Sequence, residues 1–155
     1  MGVMRFTAKT EYAVRAIIEI ALLEDKKPAQ VREIAARQAI PERFLEQVMA
    51  ALKKAGLIES IRGAQGGYRL ARQVEYITLA DVIEAIEGPM QVMECLSEDF
   101  DNLAKCNQTN LCAVRDMWKE VQTTLSKALD SISLASLISK YKGSQDDKYV
   151  KYPSF

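Results

Sequence analysis

Three cysteines fall within 18 consecutive positions of this 155-residue chain, spaced Cys95-x10-Cys106-x5-Cys112. Thiolates on one flexible segment can converge on a single centre, and soft sulfur ligands favour an iron–sulfur cluster or zinc. The same spacing also reads as three unliganded thiols, or as a thiol switch between Cys106 and Cys112. The chain contains no histidine. Imidazole bases, Ser-His and Cys-His nucleophiles and histidine-ligated metals are therefore excluded. An odd number of thiols in a chain expected in the reducing cytoplasm argues against a disulfide framework.

A second group of residues suits a polyanion. The net charge is zero, with 21 basic and 21 acidic residues, but the charge is divided along the chain. Residues 1–73 hold 13 Lys or Arg and 8 Asp or Glu, giving +5, and residues 74–155 hold 8 and 13, giving −5. A basic amino half fits an anionic partner such as nucleic acid, although scattered surface charge gives similar counts. Within that half, Arg62 adjoins the glycine-rich run Gly63-Ala64-Gln65-Gly66-Gly67. An arginine on a thin arm can enter a narrow minor groove, and Gly66 and Gly67 allow the backbone to approach phosphate.

The elements that position these residues are legible from periodicity. Residues 7–23 read as a first helix, with Ala13, Ile17, Ile20 and Ala21 on one side and Arg15 and Glu19 on the other. Residues 31–38 read as a short second helix, and Ala39-Ile40-Pro41 turns the chain. Pro41 suits the first turn of a third helix running to about residue 55, where Gly56 stops it. Its stripe Leu45, Val48, Met49 and Leu52 faces the core and leaves Glu42, Arg43, Glu46, Gln47 and Lys53 outside. Runs 57–62 and 68–71 flank the glycines as a hairpin. Thr78 and Asp81 form a capping box for a helix ending at Glu87-Gly88-Pro89. Residues 90–111 read as a loop, 114–129 as a long helix, and Ser133 as the cap of a short helix through 139. The tail from 142 reads as polar and frayed.

A short helix, a tight turn, a longer helix and a hairpin make a winged helix-turn-helix, a mainly α fold with a two-stranded wing. The major groove admits such a helix, and its N-terminal residues meet base edges. Gln47 can pair bidentately with adenine, Arg43 with guanine or phosphate, and Glu46 can accept from a cytosine amine. Phe44 either touches a thymine methyl or caps the core. The expected organisation is a DNA-binding domain over 1–90, a cysteine loop over 91–112, a dimerisation helix and short terminal helix over 113–141, and a flexible tail over 142–155. A redox enzyme or electron carrier is disfavoured, because no nucleotide-binding glycine pattern follows a strand and the basic half lies on the helix-turn-helix, and no enzyme is expected. The opening residues are too polar for a signal peptide, Phe6 breaks the myristoylation pattern, and no window approaches a membrane span. A cytoplasmic protein is expected.

The string IPERFLEQVMAALKKAGLIESIRGAQGGYRLAR, the opening RFTAKTEYAVRA and the segment ITLADVIEAIEGP resemble the BadM/Rrf-type family of bacterial transcription regulators. Members include the iron–sulfur cluster assembly regulator, the nitric-oxide-sensing repressor, the rhizobial iron regulator and the cysteine metabolism repressor. The resemblance is close over about residues 4–90, and the pattern LEQ…L-x-x-A-G-L…S-x-R-G-x-x-G-G-Y is specific. It implies a homodimer paired through the long carboxyl-terminal helix and bound to a near-palindromic site on double-stranded DNA. Phe44, Glu46 and Gln47 match the family's major-groove positions, and Arg62 matches its minor-groove arginine.

The resemblance also implies an iron–sulfur cluster on Cys95, Cys106 and Cys112, of 2Fe–2S or 4Fe–4S type. One branch adds a histidine at the position of Arg115, so that ligand is missing here. Another uses an acidic residue of the partner's first helix, which matches Glu11. The gap between Cys95 and Cys106 is longer than the family pattern, and Glu98, Asp99 and Asp101 occupy it. The expected function is a regulator sensing iron–sulfur status, nitric oxide or redox state. The alternative is a cluster-free regulator answering to a partner protein or thiol oxidation.

Overall fold

The computed structural model describes residues 6–97 and 112–146. Helix α1 (Ala8–Leu23) is followed by α2 (Val31–Gln38) and α3 (Glu42–Lys54). Strands β1 (Ile58–Ile61) and β2 (Gly67–Leu70) pair antiparallel, with Ile58 opposite Leu70 and Ile61 opposite Gly67. A 3-10 turn (Val74–Tyr76) leads into α4 (Leu79–Glu87), and a second (Glu94–Leu96) follows it. Helices α5 (Ala113–Asp130) and α6 (Leu134–Asp146) complete the described chain. This is a winged helix-turn-helix, mainly α, with a long helix behind it.

Helix α1 is the hub. Ala13, Ala16, Ile17 and Ile20 are fully buried, and α2, α3, α4, α6 and β2 all pack against it. Glu19 departs from the sequence expectation. Its helical position suggested the solvent side, but it is only 5% exposed. Its carboxylate accepts from Gln38 Nε2 at 2.7 Å and Arg37 Nη1 at 3.3 Å. Two donors from the end of α2 make that burial tolerable, because a buried charge must be paired and hydrogen-bonded.

The turns are set by left-handed residues. Gly56 (φ +72°) ends α3 as expected: its N–H bonds Lys53 O at 3.0 Å, and the N–H of Leu57 reaches Leu52 O at 3.1 Å. Both leucines are buried, which completes this helix stop with a hydrophobic contact. Ala39 makes the same kind of stop after α2 with φ +52°, and the buried Ile40 donates to Ala35 O at 3.0 Å. A Cβ in this region costs about 1–2 kcal/mol. Pro41 lies at the N-cap of α3, one position before the expected first turn.

Helix α4 carries the expected capping box: Thr78 Oγ1 accepts from Asp81 N–H at 3.2 Å, and Asp81 Oδ2 accepts from Thr78 N–H at 3.0 Å. The last two helices dock at this junction. Leu79 N–H donates to Ile132 O at 2.8 Å, Leu134 N–H to Ile77 O at 2.7 Å, and the Leu134 side chain is buried. Ser133 Oγ caps α6 by accepting from Ser136 N–H at 3.2 Å. That helix continues to Asp146 rather than ending near 139, so 142–146 are helical and not tail. Leu137, Ile138 and Tyr141 lie against the core and extend its apolar face. The rest of the expected tail, 147–155, lies outside the described residues.

Glu87 at the end of α4 closes the N-terminus of α1. Its Oε1 accepts from Thr7 N–H at 2.9 Å, from Thr7 Oγ1 at 2.7 Å, and from Thr10 Oγ1. The Thr10 bond, then the Thr7 hydroxyl bond, hold its carboxyl below the usual value of 4.5. Because the folded carboxyl takes its proton less readily than the unfolded one, its stabilisation is whole above that pH and is lost as pH falls through the lower folded value.

Two outcomes are expected in denaturant titrations. Ala39→Gly raises stability by about 1 kcal/mol, because the left-handed strain is relieved. Glu87→Gln lowers the midpoint at pH 7, and the gap from wild type closes as pH falls below about 4.5.

Candidate nucleic-acid interface and cysteine segment

The outer face of α3 follows from its inner one. Leu45, Val48, Met49 and Leu52 are at most 1% exposed. Glu42, Arg43, Phe44, Glu46, Gln47 and Lys53 are all exposed. Phe44 is 48% exposed, so it stands on this face and does not cap the core. The side chains of Arg43, Glu46 and Gln47 make no hydrogen bond or ion pair among the described residues. Glu42 is paired with Arg32 of α2 at 3.3 Å. Lys53 Nζ donates to Ser60 Oγ at 2.8 Å, which ties the end of α3 to the wing.

The wing is clamped as well as paired. Ala29, between α1 and α2, exchanges two 2.8 Å backbone bonds with Tyr68 of β2. A Cβ on Gly67 would lie 2.5 Å from Ala29 O, and one on Gly66 would lie 2.2 Å from Ile61 O. Both glycines therefore have a reason internal to the fold, beyond any approach to phosphate. Glu59 and Arg69 face each other across the strands and form an ion pair. Arg62, just past β1, is exposed and makes no ion pair among the described residues. Sequence reasoning missed Ala29, Arg32 and the Glu59–Arg69 pair. The alternating pattern of 58–70 places Glu59 and Arg69 on one strand face, but Ala29 carries no local signal.

The cysteine segment leaves α4 through Gly88 (φ +82°) and runs along α5. Val92 N–H donates to Gln122 Oε1 at 3.0 Å, and Arg115 Nε donates to Cys95 O at 3.1 Å. Cys112 is the N-cap residue of α5, so Cys95 is brought to the turn that Cys112 opens. Both thiols are free and half-buried. Cys106 lies outside the described residues. Glu11, in the first turn of α1, is exposed and paired with Arg15. Among the described residues no three ligating side chains gather. Two unbonded thiols on adjoining segments are the soft donors that iron–sulfur or zinc takes, so the residues present fit such a group.

Helix α5 also presents an uncovered apolar stripe: Val114, Met117 and Val121 are 57%, 50% and 43% exposed. Their spacing of three and four puts them on one helix face. Among the described residues no helix is long and apolar enough to cross a membrane.

The chain matches the Rrf2 family model, described as an iron-dependent transcriptional regulator, over residues 6–140. It is 34% identical over 135 residues to protein rrf2 of Nitratidesulfovibrio vulgaris, covering 87% of each chain. Among solved structures it is similar to CymR (YrzC), the global cysteine regulator of B. subtilis. That match has a TM-score of 0.71 and 32% identity, over 89% of this chain and 98% of the other. It is equally similar to T. potens IscR, with a TM-score of 0.71 and 33% identity, over 92% and 91% of the two chains.

Gly67→Ala is expected to lower stability by more than about 1 kcal/mol, because the added carbon meets a backbone oxygen that cannot move without breaking the Ala29–Tyr68 bridge. Thermal melting of the purified variant checks this.

Proposed function

The chain belongs to the Rrf2 family, whose members are DNA-binding transcriptional regulators and not enzymes, and from that premise we propose that it is a homodimer that reads a near-palindromic operator and responds through its cysteines. The observation that carries the reading is the face of α3, where Arg43, Glu46 and Gln47 stand exposed and unpaired beside a wing that ends in Arg62. Gln47 reads adenine, Arg43 guanine or phosphate, Glu46 a cytosine amine, and Phe44 a thymine methyl. Arg62 enters the minor groove, with Gly66 and Gly67 keeping the wing tip thin. Glu42 orients Arg32 across the two helices, and Lys53 fixes the wing to the reading helix.

Pairing of α5 with its mate through Val114, Met117 and Val121 would bury the uncovered stripe and set two reading helices about a two-fold axis. The symmetry of operator and dimer then match.

For the response, Cys95, Cys106 and Cys112 would hold an iron–sulfur cluster, with Glu11 of the partner subunit or an exogenous ligand completing it. When bound, such a cluster supplies a centre sensitive to redox state and nitric oxide. The chain's own part is mechanical. Arg115 and Gln122 fasten the cysteine segment to α5, so a change in the segment alters the setting of α5 against α4. The two states must differ in DNA affinity for this to regulate. Likeness to the B. subtilis cysteine regulator supports a second reading, in which the thiols, or a partner protein, give the response without a cluster. Iron and acid-labile sulfide, assayed in protein purified without oxygen, separate the two: matching amounts support the cluster, and a colourless protein that cannot be reconstituted supports the second.

On an operator selected from random duplex, Gln47→Ala is expected to cost about 1–3 kcal/mol and to relax base preference at one position per half-site. Arg62→Ala should weaken binding and reduce the slope of log K against log salt by about 1 for each phosphate it no longer neutralises. Unchanged affinities and slopes in both variants would remove this face as the interface.

A further inference from the structure

Arg115 touches the main chain at both described cysteines. Its Nε donates to Cys95 O at 3.1 Å, and its backbone N–H donates to Cys112 O at 3.0 Å. The 3-10 turn around Cys95 does not need that carbonyl: its own bonds run from Leu96 and Ser97 to Met93 O and Glu94 O. Arg115 makes no ion pair among the described residues, so the carbonyl is its partner. Arginine is a donor only and stays charged, so it cannot ligate a metal through this group. It holds the backbone and leaves both thiols free. Gln122, two turns further along the same face of α5, makes the second stitch to Val92 at 3.0 Å. The segment is thereby laid along α5 at two points, and the stripe on that helix begins at Val114, the residue beside Arg115.

We propose that Arg115 is the positioning residue of the cysteine site. By holding the Cys95 carbonyl against the first turn of α5, it presents the Cys95 and Cys112 thiols together to one thiophilic centre. It also hands any change at those thiols directly to α5. The clamp is made by protein groups alone, so it exists before a ligand arrives. Preorganised donors bind more tightly because less ordering is left to do on binding. The ligand part of the inference rests on the reading of the cysteines as a soft-ligand site; the clamp itself does not.

The test uses the full chain with Arg115→Ala and Arg115→Lys. In metal-free protein, alkylation of each cysteine by iodoacetamide is followed by mass spectrometry. Arg115→Ala should raise the rate at Cys95 severalfold, and Arg115→Lys, which keeps a donor for the carbonyl, should fall between. Cadmium is then titrated as a thiolate probe through its sulfur-to-metal charge-transfer absorption. Arg115→Ala should weaken its binding by about 10–100-fold, as removal of an orienting partner does. A wild-type alkylation rate at Cys95 in the alanine variant overturns the proposal. So does a lysine variant as impaired as the alanine one, which would assign the effect to packing and not to the hydrogen bond. A wild-type protein that takes up neither cadmium nor a cluster overturns the soft-ligand reading, and the alkylation rates still decide the clamp.

Discussion

Burial of α1 on nearly all sides is the constraint on which the rest of the molecule depends. Its second half is buried on every side, with Ala16, Ile17, Ile18, Glu19 and Ile20 all buried, and a stretch buried all round must be enclosed. Here α2, α3, α4, α6 and β2 supply the enclosure. Helix α3, β2 of the wing and the helices behind them are therefore placed against one common surface. Close-packed interiors shift as units and not by continuous deformation. Helix α4 packs against α3 directly as well as against α1. The buried Glu19 adds direction to this packing, because Gln38 and Arg37 must reach it from the end of α2. The angle between α1 and the helix-turn-helix is thus held by polar geometry as well as by area.

The exposed face of α3 is left open by the pairing of its neighbours. Basic and acidic side chains around it are largely committed: Arg32 to Glu42, Lys53 to Ser60, Arg69 to Glu59. Such exposed pairs contribute little stability. Their use is to fix orientation, leaving Arg43, Glu46, Gln47 and Arg62 as the groups with unspent hydrogen-bonding capacity. The wing is rigid at its base, where Ala29 bridges Tyr68, and thin at its tip, where glycines pack closest to backbone. A rigid arm keeps Arg62 in register with α3.

Among the described residues, the cysteine segment is joined to α5 by side-chain to backbone bonds from Arg115 and to Gln122. Two such bonds, from Arg115 and to Gln122, are enough to orient it and few enough to be broken. The same helix bears the uncovered apolar stripe. The cysteine segment and the uncovered stripe are therefore both carried by α5. Glu87, at the end of α4 where the cysteine segment begins, holds Thr7 and Thr10 at the start of α1, beside Glu11.

What the sequence determined by itself was whatever repeats within one element. The stripe Leu45, Val48, Met49 and Leu52 fixed both faces of α3, the hairpin alternation fixed the wing, and Thr78 with Asp81 fixed the start of α4. The helix-turn-helix, the exposed set on α3 and the position of Arg62 were all legible on those grounds. The tertiary structure alone decided the rest. It buried Glu19, exposed Phe44, gave Gly66 and Gly67 a neighbouring backbone to accommodate, carried α6 on to Asp146, and joined Arg115 to Cys95. Several of these depend on a partner far away in the chain: Gln38 for Glu19, Ala29 for Gly67, Cys95 for Arg115. Periodicity reports which side of a helix is apolar, but it holds no information about which distant donor or carbonyl will be waiting there, and that is what converts a pattern of faces into a site.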